Sequence, residues 1–523
     1  MPRSPACLAL LPQLFRVDSS GAERAARGLR IMRDSSIRSA VGAVPHPAQI
    51  PAHKLMSVPR KVVVIGAGPA GYVCAIRLAQ LGQSVTVVEK SYLGGTCLNV
   101  GCIPSKALIA AGALVDRIAH ASAMGITAGE VVVDIEKLVA WKAGIVGKLT
   151  GGVGSLLKNH KVEVLFGAAS LVDRNTVKVA GKEGEKTLKV DDIVIATGSV
   201  PIAIPGFAFD EENVWSSTGA LAPARIPKHL VVIGGGYIGL ELGMMYRKLG
   251  SEVTVLEATG GALPGQDRDC VKVIERSMKK MGIRFLTETF AQGYERKGDK
   301  LGVRIKTKAG EETIECDQIA STVGRKPFSD GLGLDKIGLK LDAKGFLPVD
   351  KQMRTAVANV YAIGDIAGQP MLAHKGSREG LVAAGVIAGQ NEAFDSRCVP
   401  AVIFTAPEMA SVGLQESECT AQGRAFKVGS FPFAASGRAM SLMETEGFVK
   451  IIADAATDEV LGVHMVGPEV TELIAEATLA IELGATSEDL ARTIHAHPTL
   501  PEAMMEAAEA VHGMAVHIFQ PRK

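Results

Sequence analysis

Aromatic residues are scarce: Phe, Trp and Tyr together make up 4% of the 523 residues, with two Trp and six Tyr. The core must therefore be built largely from aliphatic and small side chains. An excess of one charge is missing as well, since 57 basic residues face 55 acidic ones for a formal net charge of +2. That balance gives no electrostatic footprint for nucleic acid as the main partner. Long hydrophobic runs are also lacking. The longest uncharged apolar stretch, residues 62–76, has 15 positions and is broken by Gly and Pro. A bilayer requires roughly 20, so no membrane span is expected. The eight cysteines (Cys7, Cys74, Cys97, Cys102, Cys270, Cys316, Cys398 and Cys419) are too dispersed for a secreted disulfide framework. Most are expected to be small buried core residues, and only Cys97 and Cys102 are close together. No metal ligand set is assigned.

What is present is an ordinary globular composition, 47% hydrophobic and 21% charged, which excludes disorder for the bulk of the chain. At roughly 100–200 residues per domain the length argues for about three or four domains. Glycine, with 58 residues, exceeds its usual share of roughly 7%, a hint of backbone approaching a flat ligand. Charge is unevenly placed: residues 1–55 carry seven Arg and one Lys against Asp18, Glu23 and Asp34. Two readings of this stretch compete. It is either an Arg- and Ser-rich transit peptide, or translation starts at Met56 and the first 55 residues are absent or disordered. Three acidic residues and several prolines favour the second.

Residues 61–90, KVVVIGAGPAGYVCAIRLAQLGQSVTVVEK, and residues 229–258, HLVVIGGGYIGLELGMMYRKLGSEVTVLEA, align without a gap and share 12 of 30 identities. Each opens with a β-branched run typical of a strand buried on both faces. A glycine turn, a helix closed by Leu-Gly and a second strand ending in Glu follow. Gly66, Gly68 and Gly71 in the first copy, and Gly234, Gly236 and Gly239 in the second, fit G-x-G-x-x-G in its strand–turn–helix context. The spacing suits a dinucleotide pyrophosphate at the helix N-terminus. Glu89 and Glu257 each lie 18 residues past the third glycine and can accept from a ribose 2′-OH. A 2′-phosphate about 4 Å from Glu257 would be repelled by roughly 4 kcal/mol at an effective dielectric of 20. With no Arg in the next ten residues, NAD rather than NADP is expected there. Two dinucleotide sites suggest an electron relay, with a flavin on the partner site.

Residues 94–106, GGTCLNVGCIPSK, place Cys97 and Cys102 within disulfide reach. Pro104 suits the first turn of a helix running on through Lys106. The helix N-terminus and Lys106 would both favour the Cys102 thiolate.

This loop behind the first glycine turn resembles that of the flavin disulfide reductases, most closely those that oxidise a dihydrolipoyl group. The likeness runs from about residue 58 to the C-terminus. It takes in Thr197-Gly198-Ser199, TVGRKP at 322–327, VYAIGD at 360–365, MLAHK at 371–375 and HAHPTLPE at 495–502. It implies an α/β fold with two Rossmann-like dinucleotide-binding domains, a central domain and a C-terminal α+β dimerisation domain. The expected spans are 58–201 for FAD and the redox disulfide, 202–334 for NAD, 335–399 for the central domain and 400–523 for the dimer interface, behind an extension over 1–57.

The resemblance also implies FAD and NAD as cofactors. It assigns Glu89 to the FAD ribose, Asp365 to the ribityl and pyrophosphate region, Ala169 to the adenine, and Lys106 with Glu241 to the flavin N5 side. Gly324, Leu372, Ala373 and His374 are expected to line the cofactor, and Tyr237 to cover the nicotinamide pocket. His497, with Glu502 fixing its tautomer, becomes the general base for a substrate thiol, facing the disulfide of a second subunit across a cis His497–Pro498 bond. The substrate thiolate would attack Cys97, and Cys102 would face the flavin. Partners implied are the lipoyl and subunit-binding domains of a 2-oxo acid dehydrogenase acyltransferase core and a second copy of the chain. The expected compartment is the cytoplasm, or the mitochondrial matrix if residues 1–55 are a transit peptide. Met-bearing residues 502–514 suggest interface packing. Among alternatives, a glutathione reductase would want a cationic 2′-phosphate site, and a mercuric reductase a C-terminal cysteine pair that this tail lacks. A binding protein that merely retains the fold remains the non-enzymatic alternative.

Overall fold

The computed structural model describes residues 59–521; the extension expected over residues 1–57 lies outside them. The run KVVVI forms β1 (Lys61–Ile65), the centre of a five-stranded parallel sheet. It lies between β2 (Ser84–Glu89) and Asp192–Ile195, with Glu163–Phe166 and Val360–Ala362 at the edges. Both faces are covered, so Val62, Val63 and Val64 are all buried and the strand has no polar alternation. After the glycine turn comes α1 (Pro69–Gln80), and after β2 come α2 (Gly95–Val100) and α3 (Cys102–His120).

The second copy repeats this plan. β3 (His229–Ile233) lies between β4 (Glu252–Leu256) and Gln318–Ser321, with Arg284–Leu286 and Val214–Trp215 outside. Its helices are α4 (Tyr237–Lys248) and α5 (Arg268–Lys280). In both halves a three-stranded antiparallel meander is inserted before the inner strand that completes the sheet. One meander is built from Ala168–Asp173, Thr176–Gly181 and Gly184–Lys189, the other from Phe290–Lys297, Lys300–Thr307 and Gly310–Cys316. The 30-residue likeness in the sequence is thus the most conspicuous part of a domain-length structural repeat. The copies differ at one edge: the first sheet takes Val360–Ala362 from beyond the second, so the chain returns to it. There α6 (Ala373–Ile387) packs against α1 so closely that a Cβ at Gly380 would lie 2.6 Å from the Ala70 carbonyl oxygen.

The C-terminal unit is a five-stranded antiparallel sheet. Its inner strands include β5 (Phe448–Asp454) and β6 (Val460–Gly467), and α7 (Glu502–Val511) packs on it. Residues 502–514, expected at an interface, also pack on this unit's own sheet. Ala503, Met504, Ala507 and Ala508 of α7 are buried in this unit's own core, while Met514, Val516 and Phe519 beyond it are exposed. Among the described residues one helical stretch, Gly95–Met124, is long and apolar enough to cross a membrane by length and composition. It contains both helices of the redox segment, and Gly112 within it packs on the α4 backbone at Met245.

Candidate active site

Two uncapped helix N-termini offer two candidate nucleotide positions. Gly68 precedes α1 and Gly236 precedes α4, and neither helix has a side-chain cap. Their first amides are therefore free for an anion. The third glycines are required by contact: a Cβ at Gly71 or Gly239 would sit 2.0 Å from the carbonyl oxygen of Gly66 or Gly234. The carboxylates ending β2 and β4 are held alike. Glu89 Oε2 accepts from the Ala67 amide at 2.7 Å and Oε1 from the Ser91 amide at 2.8 Å. Glu257 Oε2 accepts from the Gly235 amide and Oε1 from the Thr259 amide, both at 2.7 Å. Each carboxylate is fixed at its glycine turn, and each oxygen retains a lone pair for a ribose hydroxyl.

The first turn opens into a cleft of about 400 Å³, within the roughly 300–1,000 Å³ usual for ligand pockets. It brings together Gly66, Gly68 and Glu89 from the first βαβ unit with Cys97, Cys102 and Lys106 from the redox segment. Thr197, Gly198 and Ser199 join them from the loop after Asp192–Ile195, with Tyr237 and Glu241 from α4 and Asp365, Leu372 and Ala373 from the returning chain. This cradle suits FAD: phosphate-binding amides, a ribose carboxylate and a dithiol share one cleft. The other assigned residues lie outside this lining. Ala169 pairs with Val179 in the meander, Gly324 holds the Ile202 amide through its carbonyl, and the His374 ring bonds the Pro400 carbonyl at 2.8 Å. Gly234, Gly236, Gly239 and Glu257 form the second turn.

The redox segment is pinned to the first turn at one contact. A Cβ at Gly95 would come within 2.6 Å of the Gly68 Cα. Gly101 separates α2 from α3, so the two cysteines belong to different helices and Cys102 is the first residue of α3. The two sulfurs are not bridged, and each strongly shifts the protonation of the other. Of the two, Cys102 is the one whose thiolate is favoured. The Cys97 hydrogen bond and then the Lys106 charge outweigh its burial and hold it down to about 7, while the same hydrogen bond and burial push the Cys97 thiol up. Lys106 Nζ bonds Glu241 Oε2 at 2.9 Å and lies 4.3 Å from the centroid of the Phe404 ring. Glu241 Oε1 takes the Phe404 amide at 2.9 Å, so one carboxylate ties together the redox helix, α4 and the C-terminal unit.

Outside the cleft, His497 Nδ1 bonds Glu502 Oε1 at 2.8 Å, and the Thr499 amide donates to Glu502 Oε2 at 2.7 Å. Burial raises Glu502, but the Thr499 amide and His497 together hold it below its ordinary value. The His497–Pro498 bond is cis. The ring is 80% exposed. His495, its neighbour in the motif, is buried against Glu476 at 2.8 Å.

Sequence reasoning passed over Arg325. Its Nε donates to Ser199 Oγ at 2.8 Å and its Nη2 to the Ser199 carbonyl at 2.7 Å, and Ser199 Oγ donates in turn to Asp365. Its place in TVGRKP, next to the assigned Gly324, was the available signal. Phe404 carried none, because its role depends on its backbone amide and on folding of a distant strand.

Two dinucleotide-binding sheets, with a dithiol on the first glycine turn and a cation beside it, define a nucleotide-dependent disulfide oxidoreductase. The family model for pyridine nucleotide-disulphide oxidoreductase matches residues 60–380, and that for its dimerisation domain matches residues 399–508. The chain belongs to the pyridine nucleotide-disulphide oxidoreductases. It is 48% identical over 462 residues to the dihydrolipoyl dehydrogenase of Geobacillus stearothermophilus, covering 88% of this chain and 98% of that protein. The Bacillus subtilis dihydrolipoyl dehydrogenase is 50% identical over 457 residues, at 87% and 97% coverage. Among solved structures, LpdA from Mycobacterium tuberculosis matches with a TM-score of 0.81 and 29% identity, over 86% of this chain and 99% of that one. The HOCl-induced flavoprotein disulfide reductase RclA from Escherichia coli matches at 0.77 and 26%, again over 86% and 99%.

Proposed function

We infer that the chain is a dihydrolipoyl dehydrogenase, which oxidises a dihydrolipoyl dithiol and reduces NAD+ using FAD. The observation that carries this is the Cys97–Cys102 pair in the cleft opened by the first glycine turn, with its thiolate on Cys102 beside Lys106. The nearly full-length relatives named for this activity support it.

In the oxidised enzyme, His497 takes the proton of one substrate thiol. The resulting thiolate attacks Cys97 Sγ, the Cys97–Cys102 bond breaks, and the electron pair leaves on Cys102 Sγ. The second substrate thiol displaces Cys97, its proton passing to the departing Cys97 Sγ, and closes the cyclic disulfide product while His497 keeps the first proton. Two electrons then rest on the enzyme dithiol, with Cys102 as thiolate. Bound FAD supplies the route by which this pair reaches NAD+ as hydride. Lys106 and the α3 N-terminus stabilise the Cys102 thiolate, Glu241 holds Lys106 in place, and Glu257 orients the NAD ribose. Tyr237, 43% exposed and facing the cleft, covers the nicotinamide position until NAD arrives.

The finer reading completes the assembly. Two copies pair through residues 400–523, so that His497 and Glu502 of one chain serve the dithiol of the other. The dimer works in the cytoplasm on lipoyl domains, docked to the subunit-binding domain of a 2-oxo acid dehydrogenase acyltransferase. The test is purification followed by assay with free dihydrolipoamide and either NAD or NADP. A yellow protein that reduces NAD far faster than NADP is expected, as is a Cys97→Ser variant that stays yellow and inactive. A Cys97→Ser variant with near wild-type dihydrolipoamide oxidation would overturn the scheme.

A further inference from the structure

A buried lysine lies where the C-terminal sheet meets the nucleotide half of the chain, and the reaction scheme gives it no part. Lys450 is on β5, its side chain 5% exposed. Its Nζ lies 2.7 Å from Asp267 Oδ2, 3.0 Å from Asp269 Oδ2 and 2.9 Å from Glu416 Oε1. Asp267 is itself buried, 6% exposed, and is the N-cap of α5, where its Oδ1 accepts from the Asp269 and Cys270 amides at 3.2 Å. A buried cation shared by carboxylates from two other elements fixes their relative position, because removing it leaves Asp267 buried without a counter-charge.

Asp267 ends the loop 258–267, which begins immediately after Glu257. That loop folds back onto the second glycine turn. The Leu263 amide donates to the Gly235 carbonyl at 2.9 Å, and the Gly235 amide in turn donates to Glu257. The Thr259 amide holds the other Glu257 oxygen. A second tie comes from the C-terminal unit: Gln415 Nε2 donates to the Gly265 carbonyl at 2.8 Å. The segment that orients the Glu257 carboxylate is therefore fastened at its far end by side chains outside the nucleotide domain.

We propose that Lys450 is a positioning residue for NAD, acting through Asp267 on the 258–267 loop to set the geometry of Glu257 and the Gly234–Gly239 turn. This rests on the reading of that turn as the NAD site. Lys450 touches neither the dithiol nor the FAD cleft, so its influence falls on one substrate only. A merely structural lysine would instead alter stability without separating the two substrates.

The test uses the FAD-loaded enzyme. In Lys450→Met the KM for NAD is expected to rise about five- to tenfold, with kcat changed less than twofold, because ground-state nucleotide binding is what is lost. Calorimetric NAD affinity should fall by the same factor. The KM for dihydrolipoamide and the anaerobic rate of dithiol-driven flavin bleaching should match wild type, and Lys450→Arg should recover most NAD affinity. Should Lys450→Met fail to fold, Asp267→Asn retains an N-cap acceptor and weakens the ionic tie. It should raise the NAD KM about two- to threefold. NAD affinity unchanged in a folded variant of either kind would overturn the proposal, as would an equal loss for both substrates. Wild-type enzyme that bound no NAD in the calorimeter would instead overturn the reading of the second turn, and this inference with it.

Discussion

At the scale of single residues the chemistry rests on which sulfur holds the negative charge. Cys102 is held down to about 7 from an ordinary 9.0, by the Cys97 thiol, then by Lys106 and its own place at the start of α3. A cation favours the thiolate, so removing it must raise the thiol. In dithiol-reduced enzyme, Lys106→Met should move the Cys102 titration from about 7 toward 9, read by ultraviolet thiolate absorbance and by the pH dependence of iodoacetamide labelling. A midpoint still near 7 would show that the Cys97 hydrogen bond and the helix terminus suffice without Lys106. The base offers a second residue-level prediction. His497→Gln keeps a hydrogen-bonding side chain but cannot take the substrate proton. Its rate of dihydrolipoamide oxidation should fall about 10²–10⁴-fold, while reduction of the flavin by NADH, which bypasses the dithiol substrate, stays within a few-fold of wild type. Equal losses in both directions would count against a base specific to the thiol.

At the scale of elements the chain is one βαβ plan used twice, and the two uses should fail independently. A methyl group at Gly239 would meet the Gly234 carbonyl oxygen at 2.0 Å, forcing α4 away from β3 at a cost of about 1–3 kcal/mol. Gly239→Ala should therefore purify yellow, with FAD bound, but reduce NAD poorly. Gly71→Ala, with the same 2.0 Å conflict at Gly66, should purify with little flavin. If both variants lost both cofactors alike, the turns would not be separate sites. This is also where the sequence was most legible. Each glycine is dictated by a contact within a few residues of itself, and each carboxylate by the strand end just beyond the helix. Contacts between distant residues left no such trace. The Lys450–Asp267 tie joins residues 183 positions apart, and neither side alone looks different from a solvated charge. The break at Gly101 was hidden for another reason: six residues of α2 are too few to show a helical period before α3 begins.

At the scale of the whole molecule, the proposed base and the dithiol are not brought together within one chain. His497 is 80% exposed and is not among the residues lining the cleft that holds Cys97 and Cys102. The surrounding unit also exposes Leu483, Ile494 and Phe519. The twofold dimer proposed above would account for both features, each histidine serving the other chain's dithiol across an isologous interface. The proposal can be tested with two inactive variants. Co-expression of Cys97→Ser and His497→Gln chains at equal levels gives mixed dimers as about half of the population. In each mixed dimer one site combines both lesions. The other joins an intact dithiol from the His497→Gln chain with an intact His497–Glu502 pair from the Cys97→Ser chain. Activity with dihydrolipoamide should then return to about a quarter of wild type, although neither variant is active alone. A site completed within a single chain would recover nothing, because every chain would keep its own lesion. Tagging the two chains differently and assaying the doubly tagged fraction sharpens the readout. That fraction should show about half of wild-type activity, and an inactive doubly tagged fraction would rule out the shared site.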